Sequence, residues 1–430
     1  MKKLLIVSMI VVLSAPLFAA GQQESSTSDG TVELRFGWWG NAPRHEKHDM
    51  IATLFEEDNP GVTIVREPAS WGDYWTKLAT QSAAGNQPDL ITMHLNESER
   101  YAANGVLADL EPFVDQGIID LSQWSQGAID TGRDFGVLTR LSEGENSASI
   151  WVNLGMVEEY GLDTPDYEMT WEEWQDYFIE NQAKLPDGVW MTKDNSYTYV
   201  DMAMGAWLRQ RVGALFHNES DTGLSFTPEI LTEWHEYWEE LRVAGAVMPA
   251  AVFAEYDGAP REQNPVVTEQ YVVEWMSSNQ IVLTQDLMES ELQLHRMPTM
   301  PDGVNKHGEW TSGAYLSVSA DSDYQEAAAS FANFFVNDWD AQDIFNAEHG
   351  RPGNNMVAER LAERSSPLQQ AFFQLTADVL DTAPVRTSLS QYNSQIVTAL
   401  ETVGEEIAYD VLPIDEAVAK FFRESRTIFE

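Results

Sequence analysis

A two-lobed α/β fold, its second lobe richer in helix, is what this sequence predicts, and three observations carry the expectation. Val32, Leu34 and Phe36 alternate as a strand does, an amphipathic stretch follows, and a β-branched run completes a strand–helix–strand unit within about 35 residues. Strand and helix patterns then keep alternating, which predicts a mostly parallel sheet with helices on both faces. Finally, a chain of 430 residues that is 43% hydrophobic and 11% aromatic has the apolar surface for two or three cores.

Each element has its own signal. After the first strand, residues 43–58 read as a helix with Met50, Ile51, Leu54 and Phe55 on one face, stopped by Asn59-Pro60-Gly61. Residues 62–65 are the second strand. Residues 71–84 form the next helix, with Ser70 as N-cap and Gly85 as its stop, and Pro88-Asp89-Leu90-Ile91 enters a third strand. Further on, 149–153 reads as a strand, and Thr170-Trp171-Glu172-Glu173 is a capping box that opens a helix. Leu231, Trp234, Trp238 and Leu241 recur at helical spacing within 228–244. Residues 281–284 and 314–319 are strand candidates, and helices are expected at 327–336, 341–349, near 391–408 and at 415–428. There is no internal repeat.

The 25 Lys+Arg against 69 Asp+Glu give a net charge of −44, which opposes encounter with nucleic acid and anionic membrane faces and leaves neutral or cationic solutes open. The absence of cysteine excludes disulfides, thiolate metal sites, a Cys nucleophile and a lipidated N-terminal cysteine. Met1-Lys2-Lys3, the apolar run 4–13, Pro16 and Ala19-Ala20 have the layout of a cleavable secretory signal over 1–20, although Leu17 or Phe18 falls where a second small residue is usual. A polar tether, 21–30, follows. An anchoring helix is the alternative, but the run is short for a span and no stop-transfer charge follows it. The chain is therefore expected to be exported, soluble in a periplasm or outside the cell, and not a lipoprotein.

Catalytic signatures are missing: there is no G-x-S-x-G elbow, no Walker A loop and no G-x-G-x-x-G fingerprint. In His45-Glu46-Lys47-His48 the histidines are three apart rather than four, so the zincin pattern fails and no metal or other cofactor is expected. The placement of aromatics says more. Trp38-Trp39-Gly40-Asn41 follows the first strand, at the carboxyl end where ligands sit in open α/β sheets. Successive strand side chains face opposite ways, so at least one indole is expected at a crevice or solvent, unless both lie under different layers. An indole covers the C–H face of a pyranose while amides and guanidinium groups bond its hydroxyl rim, and Trp38, Trp39, Asn41 and Arg44 supply both halves.

Other positions fit the same chemistry. Trp71 opens a helix at the crevice edge, where a core and a site position are equally open. Trp151, with Asn153, lies in a strand that can cross between lobes, and Asn146 precedes it. Trp275, Asn279 and Gln280 join an aromatic to two amides, and Trp310 precedes Ser312-Gly313, where backbone can approach a solute. Trp171, Trp174, Trp234 and Trp238, at helical spacing behind capping signals, read as core. Arg44, His45, Lys47 and His48 form a basic cluster that suits a uronate or is a solvated helix face.

Phe36-Gly-Trp-Trp-Gly-Asn-x-x-Arg44-His45, Ile51-x-x-x-Phe55-Glu56-x-x-Asn59-Pro60-Gly61-Val62, Trp71-x-x-Tyr74-x-x-Lys77-Leu78-x-Thr80-Gln81 and Gly85-x-x-Pro88-Asp89 follow one another along the chain. Ile150-Trp-Val-Asn153, Thr170-Trp171-x-Glu173, Trp275-x-Ser-x-Asn279-Gln280 and Gly350-Arg351-Pro352 continue the series. In that order they resemble the extracellular solute-binding protein family 1, the sugar-binding subunits of ATP-driven (ABC) importers, similar in plan to maltodextrin-binding proteins.

The resemblance implies the type II periplasmic binding protein fold, with mixed α/β lobes joined by a multi-strand hinge. Lobe 1 would comprise 31–147 and 312–350, lobe 2 would comprise 154–308 and 356–430, and the hinge would lie near 148–153, 309–313 and 350–355. It also implies sugar contacts from Met93, His94 and Asn96, with Tyr392 the nearest match to an aromatic near the start of a C-terminal helix; Arg351, in the last matched motif, and Gly313 are further candidates. His94 stands where some relatives have an aromatic platform, which leaves the identity of the sugar open. The expected function is capture of a carbohydrate, an oligosaccharide, by a monomer that closes around it and docks on the transmembrane subunits of an ABC permease. A secreted glycoside hydrolase and a receptor for a cationic solute such as a polyamine are the competing readings.

Overall fold

The computed structural model describes residues 31–429 except 219, 257–258, 385–389 and 391; the expected leader and tether lie outside the described residues. Its first strands are β1 (Val32–Trp39), β2 (Val62–Ala69) and β3 (Leu90–His94), followed by the short hairpin β4 (Arg133–Asp134) and β5 (Val137–Leu138). Then come the long β6 (Leu141–Asn153), β7 (Trp190–Thr192), β8 (Tyr271–Ser277), β9 (Leu292–His295) and β10 (Thr311–Val318). Apart from the hairpin, they form one sheet in the order β2-β1-β3-β10-β6-β8-β7, with β9 paired to β6.

The first βαβ unit is as the sequence predicts. β1 and β2 run parallel, from Val32 opposite Val62 to Trp39 opposite Ala69, and the helix Ala42–Asp58 connects them. Ser70 caps the helix Trp71–Ala83, and Thr170 with Glu173 forms the expected capping box of Trp171–Gln182. The expectation of a mostly parallel sheet is overturned. β3 pairs parallel with β1 and β7 with β8, but β10 runs antiparallel to both β3 and β6, and β6 antiparallel to β8 and β9. Local periodicity sets the direction of a strand only relative to its sequence neighbours, and β10 joins β3 from more than two hundred residues away.

Residues 281–284, expected as a strand, lie in the helix Gln280–Gln285. So short a run of Ile, Val, Leu and Thr fits either structure, and burial of Ile281 and Thr284 with Leu283 exposed is the helical i, i+3 pattern. The strand of this region is β8, just upstream. The expected strand at 149–153 is only the second half of β6. The helix expected at 341–349 ends at Phe345, where Asn346 takes a left-handed φ of 50°.

Two large cores flank the sheet. Leu34, Phe36, Trp38, Ile51, Phe55, Phe331 and Phe335 fill one, and Trp171, Trp174, Trp234, Trp238 and Phe421 anchor the other. The four tryptophans read as core are all buried. Burying one such side chain stabilises the fold by about 1.5–3 kcal/mol.

β6 changes partners along its length. Residues 141–147 pair with β10, whereas 148–153 pair with β8 and β9. Gly313 serves this junction. A Cβ there would land on the carbonyl oxygen of Gly144 across the β10–β6 pair, next to the register shift between Ala314 and Tyr315. The close approach expected of Gly313 is therefore to another strand and not to a solute. Gly313→Ala is expected to lower stability by about 1–3 kcal/mol in urea unfolding, whereas Gly61→Ala, with nothing within 4 Å, serves as a neutral control.

Candidate ligand-binding crevice

Trp39, Trp71 and His94 come together at the carboxyl ends of the three parallel strands. Trp39 ends β1, Trp71 lies two residues beyond β2, and His94 ends β3. Trp71 is 50% exposed and stands edge-on to Trp39 at 5.0 Å and to His94 at 5.5 Å. Trp75 closes the group at 5.4 Å from both indoles. Trp39 itself is only 6% exposed and lies flat over the His349 ring at 5.9 Å, so it buttresses Trp71 more than it faces outward. Met93 is interior, in the layer beneath, where the Tyr74 hydroxyl donates to the carbonyl of Thr92 at 2.6 Å.

Trp38, by contrast, is buried in the first core, stacked on His48 at 5.0 Å. The pleat sends it to the face opposite Trp39, which is why only one of the two indoles reaches the pad.

The polar candidates beside it are committed to the fold. Asn41 is the N-cap of Ala42–Asp58 and accepts from the Arg44 amide at 3.2 Å. Arg44 and Lys47 both clasp Glu348, at 3.4 and 2.6 Å. Burial pushes the Glu348 carboxyl up, but Lys47 and Arg44 outweigh it and hold the group below the usual carboxylate range. His45 Nδ1 accepts from Trp38 Nε1 at 3.0 Å, and burial drives His48 down to about 3. The basic cluster is thus not simply a solvated helix face: Arg44 and Lys47 are paired with Glu348 and His48 is interior. Asn146 donates to the His349 carbonyl at 2.8 Å, and the Arg351 guanidinium donates to the Pro352 carbonyl and to Asn355. Asn146 thus ties the 349–355 segment to β6, whereas the Arg351 side chain braces that segment internally and only its backbone pairs with Glu145 of β6. The side chain of Asn96, in the helix Leu95–Ala103, lies outside the described residues.

A second surface surrounds the far half of β6, where a cavity of about 860 Å³ opens against Trp151, Tyr199, Tyr256, Glu274 and Gln280. Trp151 donates through Nε1 to Ser149 Oγ at 3.0 Å. At the wall, the Lys193 ammonium meets Glu274 at 2.6 Å and sits 4.2 Å over the Tyr199 ring. Tyr199 is 44% exposed and holds a φ of 48°, an uncommon conformation for an aromatic residue. Gln280 accepts from Arg261 at 2.6 Å, while Asn279 accepts from Ser277 at 3.0 Å. Thr398 and Glu401 of the helix Asn393–Ala408 complete the wall, and burial, then Asp201 and Glu405, push the Glu401 carboxyl up.

Three further expectations change here. Trp275 is interior, stacked on Trp171 at 5.8 Å with Nε1 on Thr192 at 3.1 Å. Glu274 and Met276 line the cavity, so the residue between them points the other way, into the core. Tyr392 packs on Phe429 at 5.3 Å at the core's edge, and it is later turns of its helix that reach the cavity. Trp310 donates to the Asp201 carbonyl at 3.3 Å, tying the approach to β10 to the helix Val200–Arg211. Sequence reasoning missed Lys193, Tyr199, Tyr256, Glu274 and Glu401. Only the aromatic density of Tyr197-Thr198-Tyr199 could have signalled any of them.

β6 links the two surfaces. Glu143 touches His349 beneath the pad, Ser147 bonds Ser278 at 2.9 Å, and Trp151 faces the cavity, with about 26 Å of strand from Glu143 to Trp151. Exposed indole at one end and an aromatic cavity rich in amides and carboxylates at the other can grip a polyhydroxylated solute.

No helix among the described residues is long and apolar enough to cross a membrane. A sequence model described as bacterial extracellular solute-binding protein matches residues 50–371. Among solved structures, an extracellular solute-binding protein family 1 member from Alicyclobacillus acidocaldarius is 25% identical, with a TM-score of 0.81 over 94% of this chain and 99% of its own. A periplasmic oligogalacturonide binding protein from Yersinia enterocolitica is 19% identical, with a TM-score of 0.75 over 93% of this chain and 99% of its own. The sugar-binding protein MalE from Xanthomonas citri is 15% identical, with a TM-score of 0.74 over 93% and 97%.

Proposed function

Because the chain belongs to the bacterial extracellular solute-binding protein family and has its two-lobed α/β fold, we propose that it captures an oligosaccharide outside the cytoplasm and delivers it, unaltered, to an ABC permease. The half-exposed Trp71 indole, held edge-on by Trp39 and His94 where three parallel strands end, carries this reading. Such a ring offers a flat apolar face of fixed orientation to a pyranose.

Lobes of 31–147 with 312–350 and of 154–308 with 356–430 would hinge where β6 changes partners, near 148–153, with 309–313 and 350–355 beside it. A solute touching both the pad and the Trp151 cavity stabilises the closed form, and only that differential contact shifts the population. The Yersinia and Xanthomonas relatives, whose names give saccharide ligands, support a saccharide here.

The test is a titration of the purified protein with maltotriose, cellotriose, xylotriose and trigalacturonate, followed by tryptophan fluorescence and calorimetry. At least one is expected to bind saturably at micromolar concentration or tighter, about −8 kcal/mol, and to be recovered intact. Silence from all four sinks the proposal, and cleavage products would favour a hydrolase. Glu401, with Asp201 and Glu405 close enough to raise its pKa, favours a cationic solute as second reading, so spermidine belongs in the same titration.

A further inference from the structure

Directly beneath the pad lies a cluster of titratable groups that stacking on a sugar does not use. Glu143 is buried, with Oε2 2.7 Å from His349 Nδ1 and 3.9 Å from His48 Nε2. Glu143 Oε1, His48 Nε2 and His349 Nε2 are buried without hydrogen-bond partners. Aromatic rings seal the cluster: Trp39 lies over His349, Trp38 over His48, and Phe345 is edge-on to both imidazoles. Enclosed by these rings, against the underside of the exposed indole's buttress, the three atoms place the charge state of the carboxyl in direct contact with the packing that holds the pad.

We propose that the Glu143–His349 pair positions the Trp39–Trp71 pad and that this pair takes up a proton when a saccharide binds, an inference that rests on the saccharide reading above. Burial sets the direction, raising the Glu143 carboxyl against His48, Thr92 and Arg44, which favour its charged form; the groups around it come from several elements. From the helix Ala42–Asp58 come His48 and Arg44, from β3 the Thr92 hydroxyl, from the helix Trp71–Ala83 Tyr74, and from the 348–350 segment His349, with Glu348 and Lys47 acting on that imidazole in turn. The His48 Nδ1–H is given to the Arg44 carbonyl at 2.9 Å, so its Nε2 presents a lone pair toward the carboxyl.

A carboxylic acid can donate to such a nitrogen, whereas a carboxylate is repelled by it and has His349 Nδ1 as its nearest donor. Burial pushes the Glu143 carboxyl up to about 7 and drives both imidazoles down, so around neutrality Glu143 is the member that changes charge. Hydrating the ionised form requires His349 to give way, and with it Trp39. A sugar stacked on Trp71 holds both rings in place and so favours the protonated acid. By linkage, affinity falls as pH rises through the pKa of Glu143, and binding near pH 7 consumes protons.

The experiment measures affinity, from pH 6 to 8, for whichever of the four trisaccharides binds; none of them titrates in that range. Calorimetry at pH 7 in buffers of different ionisation enthalpy counts the protons. Wild type is expected to bind about tenfold more weakly at pH 8 than at pH 6, with up to one proton taken up, and Glu143→Gln to lose that slope. A flat wild-type profile, or a Glu143→Gln protein that keeps the wild-type slope, overturns the proposal. If Glu143→Gln does not fold, the buffer dependence of wild type decides alone: no proton uptake at pH 7 overturns it. If no trisaccharide binds at any pH, the saccharide reading fails, and the fluorescence of the ligand-free protein still tests the pair. A midpoint near pH 7 supports the positioning of Trp39, and its absence overturns it.

Discussion

Trp71→Ala is expected to weaken saccharide binding roughly 30- to 1000-fold, about 2–4 kcal/mol, while the urea midpoint stays close to wild type. Half of the Trp71 surface is already in water, and its contacts are edges to Trp39, Trp75 and His94 rather than full burial. Truncation therefore removes little from the fold, on the order of 1 kcal/mol or less of edge contact. It removes the whole flat face available to a sugar. Trp71→Phe should recover part of the affinity, because a smaller ring keeps the orientation but covers less of a pyranose. An alanine variant that binds within twofold of wild type would move the site away from the pad.

Trp275→Ala should do the opposite. Its ring is inaccessible to solvent, packed against Trp171 and Trp238 at 5.8 and 5.9 Å, and removing it leaves a void that a close-packed interior fills poorly. The expected loss is about 3–5 kcal/mol of stability, read as a large drop in urea midpoint. Molecules that remain folded should bind saccharide nearly as wild type does, since Glu274 and Met276, not Trp275, face the cavity. A Trp275→Ala protein of normal stability that no longer binds would reverse the assignment.

The contrast between these two tryptophans shows which features the chain declares locally. The βαβ opening, the caps at Ser70 and Thr170 and the core role of Trp171, Trp174, Trp234 and Trp238 all follow from spacing within a few residues. Trp275 was drawn toward the site by two nearby amides, but on a pleated strand the immediate neighbours of a residue face away from it. The first half of β6 was invisible for another reason. Ser142, Glu143, Glu145, Asn146 and Ser147 are all buried, and a polar run has no apolar alternation to read.

Their partners come from distant segments: Glu145 from Thr131 and Tyr315, Asn146 from His349 and Ser312. Lys193, just past the end of β7, and Glu274 of the neighbouring β8 likewise meet from 81 residues apart along the chain. Aromatic clustering at strand ends was legible because strand ends are. The cavity wall was not, because no single segment contains it.

The slot that β10 fills between β3 and β6 has a consequence for the birth of the protein. Both flanking strands leave the ribosome long before residue 311, so β3 waits with a bare edge through about half of translation. At about 5–20 residues per second, that wait lasts roughly 11–45 s. Unpaired edges recruit other chains, and closure over so long a loop is slow. A gene fragment ending before residue 318 should thus give insoluble material rather than half a receptor, and nascent chains should depend on holdase protection until their last sheet strand arrives.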